Sequence, residues 1–395
     1  MNGNVPIPKK STFTRMRVLT LTPFYPTASD DARGSFIAEP LRALEEFGIN
    51  SSVVAVQPWH RRNAGRNPVA PAATWIRYSS LPGGIGLASA GLFLYRSLIS
   101  KVRNLHRSQR IDLIHAHAAL PCGHAAVLLG RGMKIPCVVT VHGLDAFFDT
   151  QVGGYAGPWC KRVAQLAYHS AARVICVSNK VADNVADGAT ASVNTSVIYN
   201  SVDAQMFSPA STGCLSNSIL SVGDLIPIKG HELLLRAMAA VIPCYPHISL
   251  DIIGDGPEYH RLARLASEYD IAGKVRFFGR QSRKQVAEAM RRCVLFALPS
   301  RYEGLGCVYL EAMSAEKPVI ACRGQGIDEI IRHGSNGWLV EPGSLQELVM
   351  ALSVLLKNLE LRRQLGEAAR RTILQSLTSA HQASQLAAVY RECAA

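Results

Sequence analysis

The stretch Cys293-Val-Leu-Phe-Ala-Leu-Pro-Ser-Arg-Tyr-Glu-Gly-Leu-Gly-Cys-Val-Tyr-Leu-Glu311 joins an apolar run to a glycine turn and then to a helical pattern. Its first six residues, 293–298, are all apolar, which is typical of a parallel strand buried on both faces. Gly304 and Gly306 mark the turn, and a helix is predicted to begin near them. A strand, a glycine turn and a helix in this order predict an α/β fold with a parallel sheet.

The same stretch predicts a site for an anion. Gly304 and Gly306 let a ligand approach the backbone closely, and the start of a helix offers N–H donors and the positive end of its dipole. Glu303 lies in the turn and Glu311 about two helical turns later. Their carboxylates are good acceptors for sugar and ribose hydroxyls. The competing interpretation is a capped helix with two solvated glutamates.

Similar apolar runs recur along the chain, separated mostly by connections of ten or more residues, as parallel strands require. The predicted strands are 16–22, 52–56, 111–115, 137–141, 173–177 and 196–199 in the first half, and 218–222, 248–253, 275–278, 293–298, 318–321 and 337–340 in the second. Pro, Gly, Ser and Thr interrupt the pattern between residues 204 and 218, which indicates a domain junction.

This organisation predicts two Rossmann-like, doubly wound domains that face each other across a cleft. The N-terminal domain is predicted to span residues 1–205 and the C-terminal domain residues 206–376. A last helical segment, 377–395, is expected to pack on one of them, with the N-terminal domain as the option that we adopt. Ligands of such sheets bind at the carboxyl ends of the strands, so the loops at that edge are the candidate site.

Other candidate residues follow predicted strands in the same way. Lys229 can contact a phosphate as a compact charge, and Gly254 belongs to a tight turn for which a structural role is the simpler interpretation. Gly34 follows the first strand, where a loop could admit a phosphate or an acceptor. His142, beside a glycine at a strand end, is placed to hydrogen-bond a substrate.

A metal site is not predicted. His115 and His117 are two residues apart and therefore on one side of a strand, but no third ligand of suitable spacing follows them. The ten cysteines form no Cys-x-x-Cys pair, so neither a zinc site nor a disulfide framework is expected. This use of cysteine predicts a reduced, cytoplasmic protein.

The net charge of +13 is uneven. Residues 1–205 hold 21 Lys and Arg against 11 Asp and Glu (net +10), whereas residues 206–395 hold 21 against 18 (net +3). The basic excess therefore lies in the first half of the chain.

A cluster of basic residues follows the apolar Leu92-Phe93-Leu94. The cluster has two interpretations: a solvated helix face, or a helix that lies on an anionic inner membrane face. These residues are Arg96, Lys101, Arg103, His106, Arg107 and Arg110. No nucleic-acid-binding pattern accompanies the charge, and Pro82 and Arg96 interrupt the apolar stretch 81–99 too often for a membrane span.

In combination, the segments resemble the retaining glycosyltransferases of family 4, which have the GT-B fold. The resemblance runs from about Thr20 to Val340 in the family's order, and the Glu303/Glu311 pair is its most specific motif. The other matching segments are Pro23-Phe-Tyr-Pro26 with Gly34, Asp112-Leu-Ile-His-Ala-His117, Thr140-Val-His-Gly-Leu-Asp145, Val177-Ser178, Asn200-Ser-Val-Asp203 with Phe207, Lys229-Gly230 and Gly254-Asp-Gly-Pro257.

The resemblance implies roles for individual residues. Lys229 is expected to contact the donor diphosphate, Glu303 the transferred sugar and Glu311 the ribose. His142 is expected to line the reaction centre, so the expected catalytic residues are His142, Lys229 and Glu303. The expected donor-binding set is Gly34, Lys229, Gly254, Arg280, Glu303, Gly304, Leu305, Gly306, Cys307, Val308 and Glu311.

Asp224 departs from the family pattern. Many members carry an arginine just after the preceding glycine as a second phosphate clamp, and a carboxylate cannot stabilise a leaving diphosphate. Arg301, Arg280 or a helix dipole is expected to compensate; otherwise donor affinity is reduced.

The resemblance thus implies a metal-independent, hexosyltransferase-like enzyme that needs no cofactor. It would move a sugar from a UDP- or GDP-sugar to a lipid-linked or polysaccharide acceptor in cell-surface or exopolysaccharide biosynthesis. Two alternatives stay open: a nucleotide-sugar epimerase of the same architecture, and a non-catalytic sugar-binding partner.

Overall fold

The computed structural model describes residues 15–28, 30–60, 71–81, 83–143, 152, 156–187, 192–210 and 216–395. Leu144 and Asp145 of the family motif lie outside this part of the chain.

The first half of the chain forms a seven-stranded parallel sheet in the order β3-β2-β1-β4-β5-β6-β7. Its strands are β1 Met16–Thr22, β2 Ile49–Pro58, β3 Ala73–Tyr78, β4 Leu113–His117, β5 Cys137–Val141, β6 Arg173–Cys176 and β7 Thr195–Val197. The helices are α1 Ser35–Leu44, α2 Gly83–Ser108, α3 His124–Met133, α4 Ala156–Ser170 and α5 Asn179–Asp187.

The second half forms a six-stranded parallel sheet in the order β10-β9-β8-β11-β12-β13. Its strands are β8 Ser218–Val222, β9 Ser249–Ile253, β10 Val275–Phe277, β11 Leu295–Ala297, β12 Val319–Cys322 and β13 Trp338–Val340. The helices are α6 His231–Val241, α7 Tyr259–Glu268, α8 Arg283–Arg292, α9 Cys307–Ser314, α10 Leu345–Lys357, α11 Leu359–Ser376 and α12 Ser379–Ala394.

Two doubly wound α/β sheets are therefore confirmed. Both have the strand order of a Rossmann fold, which reverses direction at β1 in one sheet and at β8 in the other. The central strands β4, β5 and β8 are buried along their whole length, because helices cover both faces of a parallel sheet. We refer to the two units as the N-terminal and C-terminal domains.

The sequence prediction missed β3. Only Ile76 and Tyr78 of its six residues are buried, because β3 is the edge strand and is covered less completely than the centre of the sheet. The strand follows a proline- and alanine-rich stretch and has no continuous apolar run that would indicate it.

The last helix, α12, packs on the N-terminal domain although it ends the chain. Its Leu386 and Tyr390 lie in one apolar cluster with Ile37 and Leu41 of α1. The chain crosses from the second domain just before α12, where the N–H of Val202 donates to the carbonyl of Leu377. This hydrogen bond thus ties the two domains together where the chain crosses between them.

The basic helix α2 is amphipathic. Leu94, Leu98 and Val102 are buried against the sheet, whereas Leu92 and Phe93 are exposed beside basic residues. Within the described residues, no helix combines the length and the apolar character that crossing a bilayer requires.

Candidate active site

Lys229 and Glu303 form an ion pair at the carboxyl edge of the second sheet. Lys229 ends the short helix Pro227–Lys229 after β8, and Glu303 lies in the turn between β11 and α9. Lys229 Nζ donates to Glu303 Oε1 at 2.7 Å, and Ser300 Oγ donates to the same oxygen at 2.9 Å. The Glu303 side chain is only 9% exposed, so the interpretation of this residue as a solvated glutamate is wrong. No described residue hydrogen-bonds to its other oxygen, Oε2, which can therefore accept from a ligand.

The start of α9 lies beside this pair. Gly306 caps the helix in a left-handed conformation (φ 84°), and no side chain caps it. A Cβ at Gly306 would meet the Tyr309 ring at 2.6 Å and would lie 3.6 Å from the Glu303 carboxyl carbon. The N–H groups of Cys307 and Val308, the first two residues of the helix, have no carbonyl partner within an α-helix, whereas that of Tyr309 donates to the carbonyl of Gly306. They form a site for an anion next to a lysine.

The two domains touch at the glycine turn. A Cβ on Gly304 would lie 2.3 Å from the carbonyl oxygen of His142 and 2.9 Å from the Cα of Gly143. From the same side, Ser178 Oγ donates to the Gly304 carbonyl at 2.6 Å. Leu305, the next residue, is buried at this contact. No side chain fits at position 304, so the glycine is required for the approach of the N-terminal domain.

His142 brings a neutral imidazole to the cleft. Its Nε2 lies 3.0 Å from His117 Nδ1, and its ring contacts Phe36 edge-on at 4.9 Å between centroids. Burial lowers the pKa of His142 to about 3. The side chain is therefore uncharged at neutral pH and serves as a hydrogen-bonding group, not as a charged acid.

The other two histidines are held by protein groups. His115 Nδ1 pairs with the Tyr390 hydroxyl at 2.6 Å, and its Nε2 pairs with Thr140 Oγ1 at 2.7 Å. Among the described residues, no three metal-ligating side chains lie together in a group that could hold a metal ion.

Arg280 bridges the two domains opposite Asp224. Its guanidinium lies 2.7 Å from Asp30 Oδ2 of the N-terminal domain and 3.5 Å from Asp224 Oδ1. Arg280, which follows β10, therefore lies at the same edge of the sheet as Asp224 and pairs with its carboxylate. Arg301, the other candidate, places its backbone N–H on the carbonyl of Ile228, and its side chain lines a pocket of about 400 Å³ beside α6.

Glu311 lies apart from the Lys229–Glu303 pair. Its Oε1 is 3.5 Å from Arg283 Nη2, and Nη1 of the same arginine is 2.5 Å from Glu39 on α1. The Glu311 side chain is 13% exposed, so it is not a solvated glutamate either. Burial raises its pKa to about 7, against the opposing effect of Arg283.

Gly34 and Gly254 have conformational reasons to be glycine. Gly34 adopts φ 77°, and a Cβ there would lie 2.6 Å from the backbone of Phe24. Gly254 adopts φ 150°, and a Cβ there would lie 1.9 Å from the carbonyl oxygen of Gly223. At both positions, glycine lets a loop fold tightly against the end of a strand. This close packing explains why each residue is glycine, and it gives neither residue a contact with a ligand.

A pocket of about 640 Å³ opens at the carboxyl edge of the first sheet. Trp75 and Tyr78 of β3 line it together with Leu120, and Asp30 and Arg33 lie on its cleft side. Neither Lys229 nor Glu303 lines this pocket.

Several residues of the site were missed in the sequence. Ser300 holds Glu303, Gln325 accepts the N–H of Glu303 at 3.2 Å, and Asp30 pairs with Arg280. Glu39 and Arg283 carried no signal, because a glutamate in an amphipathic helix and an arginine after a serine cap look like ordinary surface residues. Of these missed residues, Ser300 alone had a position that could have indicated a role in the site, because it lies just after a predicted strand.

Comparison with known proteins fits this geometry. The family model of glycosyl transferases group 1 matches residues 215–372, and that of glycosyltransferase family 4 matches residues 34–206. An uncharacterized glycosyltransferase of Methanocaldococcus jannaschii is 32% identical over 67% of this chain and 71% of that protein. N-acetyl-alpha-D-glucosaminyl L-malate synthase of Bacillus anthracis is 27% identical over 74% of this chain and 78% of that protein.

Solved structures share the fold. Anabaena HepE in complex with UDP-glucose superposes with a TM-score of 0.75 at 20% identity, over 96% of this chain and all (100%) of that one. Two Rossmann-like domains, an anion site at a helix start and two family models that follow each other along the chain support one conclusion. The chain belongs to glycosyltransferase family 4, and it is a GT-B glycosyltransferase that transfers a sugar from a nucleotide-sugar donor.

Proposed function

We propose that this enzyme transfers a hexose from a UDP- or GDP-sugar to a lipid-linked or polysaccharide acceptor, with retention of configuration, in cell-surface or exopolysaccharide biosynthesis. The observation that carries the donor half is the Lys229–Glu303 pair beside the uncapped start of α9. It combines a cation, free N–H groups and a carboxylate oxygen, which match the phosphates and hydroxyls of such a donor.

The proposed chemistry follows from charge. Cleavage of the sugar–phosphate bond leaves negative charge on the diphosphate and positive charge on the sugar. Lys229 and the start of α9 would stabilise the diphosphate, and Arg280 would add a second cation. Glu303 Oε2 would accept hydroxyls of the sugar, and neutral His142 would face it from the N-terminal domain. None of the carboxylates described in that domain is an evident nucleophile, so the acceptor would attack on the face that the diphosphate leaves.

A donor panel tests this proposal. UDP-, GDP- and ADP-sugars are screened by thermal shift, and release of nucleoside diphosphate is then measured with and without acceptor. We expect a UDP- or GDP-sugar to raise the unfolding temperature, and its turnover to require an acceptor. Binding of ADP-sugars alone would contradict the proposed donor class.

Glu311→Ala is expected to weaken binding of that donor roughly 10- to 100-fold, because a charge-assisted hydrogen bond to ribose is lost. Isothermal titration calorimetry with UDP or GDP measures this effect. Glu316→Ala is the control. It removes a glutamate that follows α9 and that takes no part in the ion pairs of Arg283. Equal affinity in wild type and Glu311→Ala would remove Glu311 from the donor site.

The acceptor half of the proposal rests on the pocket beside β3. Trp75, Tyr78 and Leu120 give it apolar walls, and Gln57 and His60 add polar groups at its rim. Stacking of a sugar ring on an aromatic face, with hydroxyls on the rim, suits a glycan or the sugar end of a lipid carrier.

A lipid-linked acceptor would bring the enzyme to an anionic membrane, and two adjacent helices suit that surface. On α4, which contacts α2, Trp159 and Leu166 are 43% and 54% exposed. Leu92 and Phe93 are exposed on α2 itself. Exposed basic side chains surround these apolar groups, which is the pattern of an interfacial membrane surface: Arg96, Lys101, Arg103, Arg107, Lys161 and Arg162.

Arg103→Glu/Arg107→Glu is expected to reduce binding to phosphatidylserine-containing vesicles at least about tenfold, because each basic residue near the surface contributes about 1 kcal/mol. Vesicle flotation measures the bound fraction. The matched control is Arg236→Glu/Lys357→Glu on the C-terminal domain, which makes the same charge change elsewhere. Absence of wild-type binding to anionic vesicles would refute the membrane surface.

A further inference from the structure

A buried ion cluster joins the two domains beside the proposed ribose site. Arg283, the first residue of α8, is 7% exposed, and its guanidinium contacts two carboxylates. One belongs to Glu39 of the N-terminal domain and the other to Glu311 of the C-terminal domain. Two carboxylates therefore share one cation in a place that water hardly reaches.

The surroundings hold the guanidinium in place. Phe207 lies under it at 5.2 Å, and Asp31 Oδ1 accepts the backbone N–H of Arg283 at 3.0 Å. Among the described residues, Arg283 Nε has no hydrogen-bond partner, and the contact of Arg283 with Glu311 involves Oε1 of that carboxylate. The charged and titratable groups that act on the cluster are Asp31, Arg42, Asp203 and the Cys307 thiol.

The cluster is short of one positive charge. Two ionised carboxylates around one guanidinium leave a net negative charge in a low-dielectric site, which is costly. Burial and the nearby Glu39 charge both raise the pKa of Glu311, while Arg283 lowers it. Burial raises the pKa of Glu39 as well. One of the two carboxyl groups therefore tends to keep its proton while the domains are in contact.

We propose that Glu39 and Arg283 are positioning residues for donor binding, which hold the Glu311 carboxylate in place from both sides of the cleft. The inference rests on the proposed role of Glu311 as the acceptor of ribose hydroxyls. Arg283 fixes one oxygen of Glu311 and leaves Oε2 for the ligand. Glu39 competes for the same guanidinium, so the N-terminal domain influences how well the C-terminal domain binds its donor.

The direction in which donor affinity changes with pH follows from the charge of Glu311, because the ionised carboxylate is a stronger hydrogen-bond acceptor than the protonated carboxyl group. Donor affinity of the wild type should rise as the pH increases through about 7, where Glu311 loses its proton. Glu39→Gln removes a neighbouring negative charge and should move this midpoint to lower pH by about one pH unit. Arg283→Gln removes the cation and should move it to higher pH.

The experiment is calorimetric titration of UDP-glucose and GDP-glucose between about pH 5 and 9. Nucleotide sugars are used because their diphosphate diesters do not titrate in this range, unlike free UDP. Glu46→Gln is the matched control, since it makes the same substitution at an exposed glutamate. Glu46 lies in the short helix Glu45–Phe47 that follows α1. Shifts of opposite sign in the Glu39 and Arg283 variants, with none in the control, support the proposal. A loss of affinity by the same factor at every pH would show a structural role only and overturn it.

A second measurement needs no donor. The unfolding temperature is followed against pH for wild type, Glu39→Gln, Glu311→Gln and the double variant. A carboxyl whose pKa is raised by folding makes the folded state bind more protons, so its contribution to stability falls as the pH rises towards 7. Glu39→Gln should reduce that fall, because the raised pKa of Glu39 contributes to it as well, and the reduction should be larger when Glu311 is present than in the Glu311→Gln background. Additive effects of the two substitutions would overturn the coupling, whereas an unchanged donor affinity in Glu311→Ala would refute the proposed ribose role instead.

Discussion

Lys229→Ala is expected to lower kcat roughly 100-fold or more, because it removes the charge that faces the leaving diphosphate. The same substitution leaves the Glu303 carboxylate, 9% exposed, with Ser300 as its remaining partner on Oε1. Steady-state kinetics with the donor identified in the panel measures the effect. The loss should appear in kcat more than in KM, since the contact strengthens as the bond to the sugar breaks.

The control for this variant is Lys357→Ala, which removes an exposed lysine at the end of α10. Lys229→Arg keeps the charge and is expected to retain more activity than Lys229→Ala, although its planar guanidinium does not reproduce the geometry of an ammonium group. Thermal unfolding of each variant separates lost catalysis from lost folding. Wild-type turnover by a folded Lys229→Ala protein would show that the lysine does not act on the leaving group.

Gly304→Ala is expected to reduce activity to a similar extent for a steric reason. The new Cβ would lie 2.3 Å from the carbonyl oxygen of His142 and 2.9 Å from the Cα of Gly143. Both neighbours are backbone atoms, so the domains must separate to make room. A displacement of about 1 Å between reacting groups can cost roughly 100-fold in rate.

Gly273→Ala is the matched control for Gly304→Ala. It makes the same change in the same domain, at a glycine whose added Cβ would meet nothing within 4 Å. We expect it to keep full activity. If Gly304→Ala also kept full activity at an unchanged unfolding temperature, the contact between the glycine turn and His142 would not contribute to catalysis.

The fold could be predicted from local signals. Mainly apolar runs such as 137–141 and 218–222 correspond closely to buried central strands, because a strand covered by helices on both faces has no face exposed to water. The glycine turn after β11 was also recognisable, since few residues other than glycine adopt the left-handed conformation of Gly306. The edge strand β3 lacked such a run and was missed.

The candidate site was predictable only in part. Residues that directly follow a strand, such as Lys229 and Glu303, were found because parallel strands bring their carboxyl ends to one edge. The bond between those two side chains joins positions 74 residues apart, and no local pattern encodes it. The Asp30–Arg280 and Glu39–Arg283 pairs link different domains, so periodicity within either domain gives no sign of them.

By itself, the sequence determined which segments are strands and helices, where glycine must stand, and which loops lie at the carboxyl edge of each sheet. These properties depend on neighbours within a few residues. Only the tertiary structure decided that Glu311 is buried against Arg283 and that Arg280 lies opposite Asp224. Burial and charge pairing depend on the approach of the two domains, and that approach is set by packing between residues far apart in the chain.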